Sequence, residues 1–273
     1  MIVVTGATGN VGRPLVRALA AAGEQVTAVS RGAAQVPAGV RHVRADLTDP
    51  AGLKTALEGA DALFLLVSGE WFAAGGDPGG ILDAARAGGV RRVVHLSSQG
   101  VATRRHPPEL EDAIKRSGLE WTMLRPAGFH SNPFGWAGPI RERRTATAPF
   151  ADVALPTVDP ADIAEVAALA LRESGHGGGT YELTGPEPVS PRCQVAAIGD
   201  ALGEPVRFVE QSREGARAQM LGFMPEPVVE ATLGILGSPY PAEQRVSPDV
   251  ERILGRPGRT FAEWAVRNVQ IFR

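Results

Sequence analysis

The chain opens on an unbroken β-branched run, Ile2, Val3 and Val4, the pattern of a strand buried on both faces. A glycine-rich octet follows, and the pattern from residue 13 to 22 is helical, with Pro14 tolerated in the first turn. Similar apolar runs predict strands over 25–30, 41–45, 62–67, 90–96 and 121–124. Between them, the apolar spacing predicts helices over 50–57, 81–87 and 108–116. In the second of these Ile81, Leu82 and Ala85 share a face, and Ser117-Gly118 ends the third. Thr48 or Asp49 is expected to cap the helix at 50, which leaves Asp46 unexplained by capping. Six alternations of strand and helix predict an α/β fold, a Rossmann-type doubly wound parallel sheet with ligands at the carboxyl ends of its strands.

Past residue 130 the pattern changes. Aromatics mix with proline and glycine over 130–136, and Arg141, Glu142, Arg143 and Arg144 read as a solvated charged face. A helix is predicted over 159–171, with Asp159 as cap and Pro160 first, then a short strand over 181–184. Helical patches follow over 194–202, 213–221, 228–236 and 261–272. These patterns suggest a dinucleotide-binding domain over 1–130, to which 151–187 returns. A smaller, mainly helical substrate lobe would comprise 188–273 with 131–150.

Composition narrows the classes. The 273 residues are 44% hydrophobic and 21% charged, with a formal net charge of −2, an ordinary globular balance. No basic patch or helix-turn-helix points to nucleic acid, and no uncharged apolar run is long enough to span a bilayer. Cys193 is the single cysteine, so neither an internal disulfide nor a cysteine-based metal cluster is expected. The first strand begins at Met1, leaving no room for a signal peptide, and a cytoplasmic location is expected. Oligomeric state is left open.

The octet Thr5-Gly6-Ala7-Thr8-Gly9-Asn10-Val11-Gly12 carries the first chemical signal. Strand, glycine turn and helix in that order suit a dinucleotide phosphate. Gly6 permits a tight turn, Gly9 lets backbone approach the pyrophosphate, and Gly12 lets helix and strand pack closely. The helix N-terminus offers N–H groups and the positive end of its dipole. The second strand ends at Ser30-Arg31, where an NAD-specific site usually carries an acidic residue. A guanidinium there can clamp a 2′-phosphate and stack on adenine, which argues for NADP(H). Asp46 ends the third strand, placed to accept from the adenine amino group. The other strand-end residues meet at the same edge, so Leu47, Leu66, Val67, Ser68, Ser97, Pro126 and Phe129 join Thr8, Asn10 and Val11 as candidate cofactor contacts. Trp71 and Phe72 lie in a glycine-rich loop that either covers an apolar substrate or simply packs.

Thr5 to Gly12, Val29-Ser30-Arg31, Ala45-Asp46-Leu47, Leu96-Ser97-Ser98, Ser117 to Thr122 with Leu124-Arg125-Pro126, Asp162-Ile163-Ala164 and Tyr181 to Pro186 together resemble the NmrA-like atypical short-chain dehydrogenase/reductases. The resemblance runs from residue 1 to about 187 and more loosely to Phe272. It implies a Rossmann domain, NADP(H) binding and a small C-terminal lobe. It also implies one of several roles: quinone reductase, isoflavone-reductase-like enzyme, ketoreductase, or a regulator that only binds the cofactor. One departure stands out. Typical short-chain dehydrogenases place Tyr-x-x-x-Lys on the helix after the fifth strand, whereas here that stretch reads Pro107 to Lys115 without a tyrosine. Ser98 matches the family's serine and can hydrogen-bond a substrate carbonyl. His106 precedes the helix and can act as an acid, since imidazole titrates near neutrality. The sequence thus predicts an NADPH-dependent reductase of a carbonyl or quinone-type small molecule, polyketide aromatics included, with Ser98 and His106 as its catalytic candidates. The alternative is a non-catalytic NADP(H) sensor.

Overall fold

The structure is a computed structural model that describes residues 1–273, and every side chain except those of Pro50, Ala51 and Ala73. In chain order it runs β1 (Ile2–Val4), α1 (Gly12–Ala21), β2 (Val26–Ser30), β3 (Arg41–Arg44), α2 (Pro50–Leu57), β4 (Ala62–Leu65), α3 (Gly69–Ala73), α4 (Pro78–Gly88), β5 (Arg92–Leu96), α5 (Gln99–Ala102), α6 (Glu109–Arg116), β6 (Glu120–Pro126), α7 (Ala137–Arg143), β7 (Thr145–Ala148), α8 (Pro160–Arg172), β8 (Gly179–Leu183), α9 (Pro191–Leu202), β9 (Arg207–Glu210), α10 (Arg213–Met220), α11 (Glu226–Gly237), α12 (Pro241–Gln244), α13 (Asp249–Leu254) and α14 (Phe261–Asn268).

Two compact units form, one from Met1–Pro126 with Pro160–Glu182, the other from Ala127–Asp159 with Leu183–Arg273. The first is built on a seven-stranded sheet in the order β3-β2-β1-β4-β5-β6-β8, the expected Rossmann fold with one strand more than the six alternations counted. Pairing is parallel from β3 to β6, with Val3 opposite both Thr27 and Leu63. Every residue of β1, β2 and β4 is buried, which is why those strands read as apolar runs rather than as alternations. Val3, Val29, Leu63, Leu65, Ile81, Ile114 and Met123 form the core under α2, α4 and α6. Leu15, Val16 and Leu19 of α1 and Ile163, Val166 and Ala167 of α8 bury the other face. The chain order reverses across the β1–β4 boundary, so the crevice that doubly wound sheets use for ligands lies beyond the ends of those two strands.

To the helices of the expected mainly helical lobe the second unit adds a small sheet. β7 and β9 pair in parallel as a two-stranded sheet. With four residues each they are hard to read from sequence: β7 alternates Thr and Ala but carries no large apolar side chain, and β9 has only Phe208 and Val209 between charges. Its core gathers Ile140, Val195, Ile198, Phe261, Trp264 and Phe272. The charged run at 141–144 is a solvated face, with Arg141, Glu142 and Arg143 exposed, and it also ties segments together: Arg141 Nη1 donates to the Ile271 carbonyl at 2.6 Å, and Arg144 Nη2 donates to Glu204 at 2.7 Å. Residues 151–159 fall with this unit rather than with the sheet. Bridges from Val158 to Phe129 and from Leu155 to Val189 hold them there.

Candidate functional site

The site begins in the turn between β1 and α1. Gly6 adopts φ +61°, a conformation that disfavours any side chain, and its carbonyl accepts the Gly9 N–H at 3.0 Å. A Cβ on Gly12 would sit 2.1 Å from the Gly6 oxygen, so glycine is obligatory there. No side chain caps the first turn of α1 and no acidic residue lies in it, which leaves that helix pole to an anion. Thr5, whose role no local pattern announces, holds the crevice together. Its hydroxyl lies 3.0 Å from the Phe64 and Leu66 carbonyls and accepts the Leu66 N–H at 2.8 Å. Leu66 packs its side chain beneath Gly6 and Val67 joins the core, so both shape the cradle from below. A cavity of about 460 Å³ lies beside the turn, lined by Ala7, Arg13, Arg17, Gln35, Val36 and Pro37.

Arg31 follows β2, is 65% exposed, and is ion-paired with Glu70. The Glu70 hydrogen bond and charge hold its guanidinium even more firmly protonated than usual. Asp46 accepts the Thr48 N–H and hydroxyl, both at 2.9 Å, and those two bonds lower its pKa. The expected division between these aspartates is therefore corrected. Asp46 makes the turn's side-chain bonds, while Asp49, at the cap position of α2, makes no side-chain cap bond. Asp46 remains exposed, two residues past the end of β3. The aromatic stretch after β4 is also resolved. Ser68 caps α3 by accepting the Trp71 N–H at 3.2 Å. The Trp71 indole is buried in the core, with Nε1 donating to the Leu47 carbonyl at 3.0 Å. Trp71 is thus packing, and only Phe72, 51% exposed, is left facing outward.

The ends of β5 and β6 hold two linked constellations. In one, Ser97 Oγ donates to Glu111 at 2.6 Å, Arg125 clasps the same carboxylate through Nε at 2.8 Å and Nη2 at 2.6 Å, and Lys115 Nζ adds a contact at 3.1 Å. Ser97 thereby spends its one hydroxyl proton on the protein and keeps only acceptor capacity. Lys115 is no plain surface residue, because it pairs with a carboxylate that is 2% exposed and lies over the Trp121 ring. Burial alone would raise the Glu111 pKa; the hydrogen bonds from Arg125, Ser97 and Lys115 outweigh it and hold the group at about 2. Unfolding releases the carboxyl to its usual 4.5, so the unfolded chain binds the proton first as pH falls. The stabilisation is complete above about pH 4.5 and is lost as pH falls toward 2. It amounts to roughly 3 kcal/mol. Thermal melts across that window should show the decline, and Glu111→Gln should destabilise at neutral pH while flattening it.

In the other constellation Ser98 caps α5, accepting the Gly100 N–H at 3.0 Å, and its Oγ lies 3.1 Å from His106 Nδ1. The ring of His106 rests on Gly100, where a Cβ would come within 2.5 Å of Nδ1. His106 is half-buried and placed by contact. The two catalytic candidates are therefore brought together, eight residues apart in the chain. Pro126 ends β6 in the first unit, whereas Phe129 belongs to the second, bridged to Val158.

A family model described as NAD(P)H-binding matches residues 6–174. The chain belongs to that family. The match spans the glycine turn, α1 and strands β2 to β6, and the cradle fits the cofactor: Gly6 makes the tight turn, Gly12 lets α1 pack onto it, and a Cβ on Gly9 would meet only the Gly6 oxygen, at 3.3 Å. Over its full length the chain is similar to (4-alkanoyl-5-oxo-2,5-dihydrofuran-3-yl)methyl phosphate reductase of Streptomyces griseus, 37% identical and covering 99% of that protein. It is 32% identical to the NAD(P)H azoreductase of Xenophilus azovorans, covering all of this chain and 99% of the relative. The NADPH-dependent quinone oxidoreductase of Escherichia coli, solved with NADPH, superposes with a TM-score of 0.80 at 25% identity, covering 98% of this chain and 99% of that one. Among the described residues, no helix is long and apolar enough to cross a membrane.

Proposed function

We propose that this NAD(P)H-dependent oxidoreductase reduces a small conjugated carbonyl or quinone-type acceptor with NADPH. The observation that carries the reading is the Ser98–His106 hydrogen bond at the carboxyl end of β5, with no tyrosine on α6. Bound NADPH supplies the hydride. Ser98 then donates its hydroxyl proton toward the oxygen on which charge develops, and His106 Nδ1 restores it. A serine hydroxyl is a weak acid, so the arrangement suits acceptors whose hydride adduct is already a delocalised anion. A quinone and an alkanoyl-oxo-dihydrofuran both meet that condition, which supports transfer of those relatives' acceptor chemistry to this chain.

Incubation with NADPH and a panel of quinones, aromatic ketones and alkanoyl-dihydrofuranones tests the reading through loss of NADPH absorbance. Turnover on at least one conjugated acceptor is expected. Equal binding of NADP⁺ and NADPH with no turnover on any acceptor would favour a cofactor sensor instead.

Arg31 is proposed to read the 2′-phosphate and Asp46 the adenine edge. Arg31→Asp should weaken NADPH binding by about tenfold or more, the scale of a lost charge-assisted contact, and change NADH binding little. Calorimetric titration of both cofactors decides it, and an unchanged NADPH affinity would remove Arg31 from the role.

A further inference from the structure

We propose that Glu70 sets how strongly this chain prefers NADPH over NADH, by competing with the adenosine 2′-phosphate for Arg31; the inference rests on the reading of Arg31 above. β2 and β4 are the two neighbours of β1. Arg31 directly follows β2 and Glu70 lies just past β4, so their ion pair runs from one side of β1 to the other, at the strand end that carries the glycine cradle. Any dinucleotide entering that cradle meets the pair.

Glu70 is held there by its surroundings. Ser68 caps the first turn of α3, and the next residue, Trp71, is buried and tied by its indole N–H to Leu47 beside the Asp46 turn. The carboxylate is thus presented by an anchored backbone and aimed at Arg31. The charges nearby balance. Arg44 Nε donates to the Arg31 carbonyl at 2.8 Å, and the positive charge of Arg31 faces both Glu70 and Asp46. A phosphate dianion can gain Arg31 only by displacing Glu70, whereas a ribose 2′-hydroxyl leaves the pair intact. Both side chains are open to water, 65% and 73% exposed, so the pair is weak enough to be opened. Glu70 therefore tempers the preference rather than blocking NADPH.

The test is titration of the full-length wild type, Glu70→Gln, Arg31→Ala and the double variant with NADPH, NADH, 2′,5′-ADP and 5′-AMP. Glu70→Gln should bind NADPH and 2′,5′-ADP about two- to fivefold more tightly, the range of an exposed ion pair, with NADH and 5′-AMP little changed. In the Arg31→Ala background the same substitution should give no gain. Unchanged or weaker NADPH binding in Glu70→Gln overturns the inference, and so does a gain that survives loss of Arg31, which would be simple charge repulsion. If Arg31→Ala alone leaves NADPH affinity unchanged, the reading of Arg31 falls, and this inference with it. If Arg31→Ala weakens NADPH but Glu70→Gln brings no gain, only the role of Glu70 falls.

Discussion

Gly12→Ala should weaken NADPH binding by roughly ten- to a hundredfold or more. The new Cβ would lie 2.1 Å from the Gly6 carbonyl oxygen and 2.8 Å from the Ala7 Cα. Both obstacles are backbone, so no side chain can rotate away. Either α1 moves off the β1 end or the turn opens, and each destroys the cradle. Overpacking of this kind costs about 1–3 kcal/mol or more, which as lost affinity is roughly ten- to a hundredfold or greater. Gly32→Ala is the control, since nothing lies within 4 Å of the Cβ it would add. Calorimetry with NADPH, paired with thermal melts, reads both effects. Wild-type affinity in Gly12→Ala would contradict the close packing of α1 on the turn.

Ser98→Ala should lower turnover on any accepted substrate by about 10²–10³, the usual cost of removing a main donor to a developing oxyanion. NADPH affinity should hold, because the hydroxyl acts on the acceptor. The same oxygen also caps α5, so a loss of about 1 kcal/mol in stability accompanies the change. Ser98→Thr keeps a hydroxyl at the cap and should recover part of the rate, separating the chemical role from the structural one. His106→Ala should have a smaller effect and should remove any dependence of rate on an imidazole ionisation. If all three variants keep wild-type rates, the proton comes from the acceptor or from water. The protein would then act by orienting the two reactants, an effect worth up to roughly 7–11 kcal/mol.

Much of the cofactor end is legible in the amino-acid sequence, because its signals are local. Gly6, Gly9 and Gly12 are constrained by a turn only a few residues long, and buried parallel strands announce themselves as apolar runs. Ser98 and His106 are also within reach, since one short helix and the loop after it bring them together. Glu111 is not legible. On a helix written Glu-Leu-Glu-Asp-Ala-Ile-Lys it looks like one of several surface acids. Its (i, i+4) spacing to Lys115 is the single available clue. Trp71 is ambiguous for a related reason: a tryptophan among glycines serves a lid or a core equally well until its indole N–H has a partner.

Periodicity, turn chemistry and residue identity are properties of short stretches of chain, and they suffice for the doubly wound sheet, the glycine cradle and the missing tyrosine. Which charges are spoken for depends instead on the folded arrangement. Arg31 meets Glu70 39 residues away, and Arg125 meets Glu111 from a neighbouring strand. The same arrangement gathers residues 151–159 into the second unit. A charge takes its partner from whichever segment the fold sets beside it, and where the pair is buried, as at Glu111, the loss of water makes that choice binding.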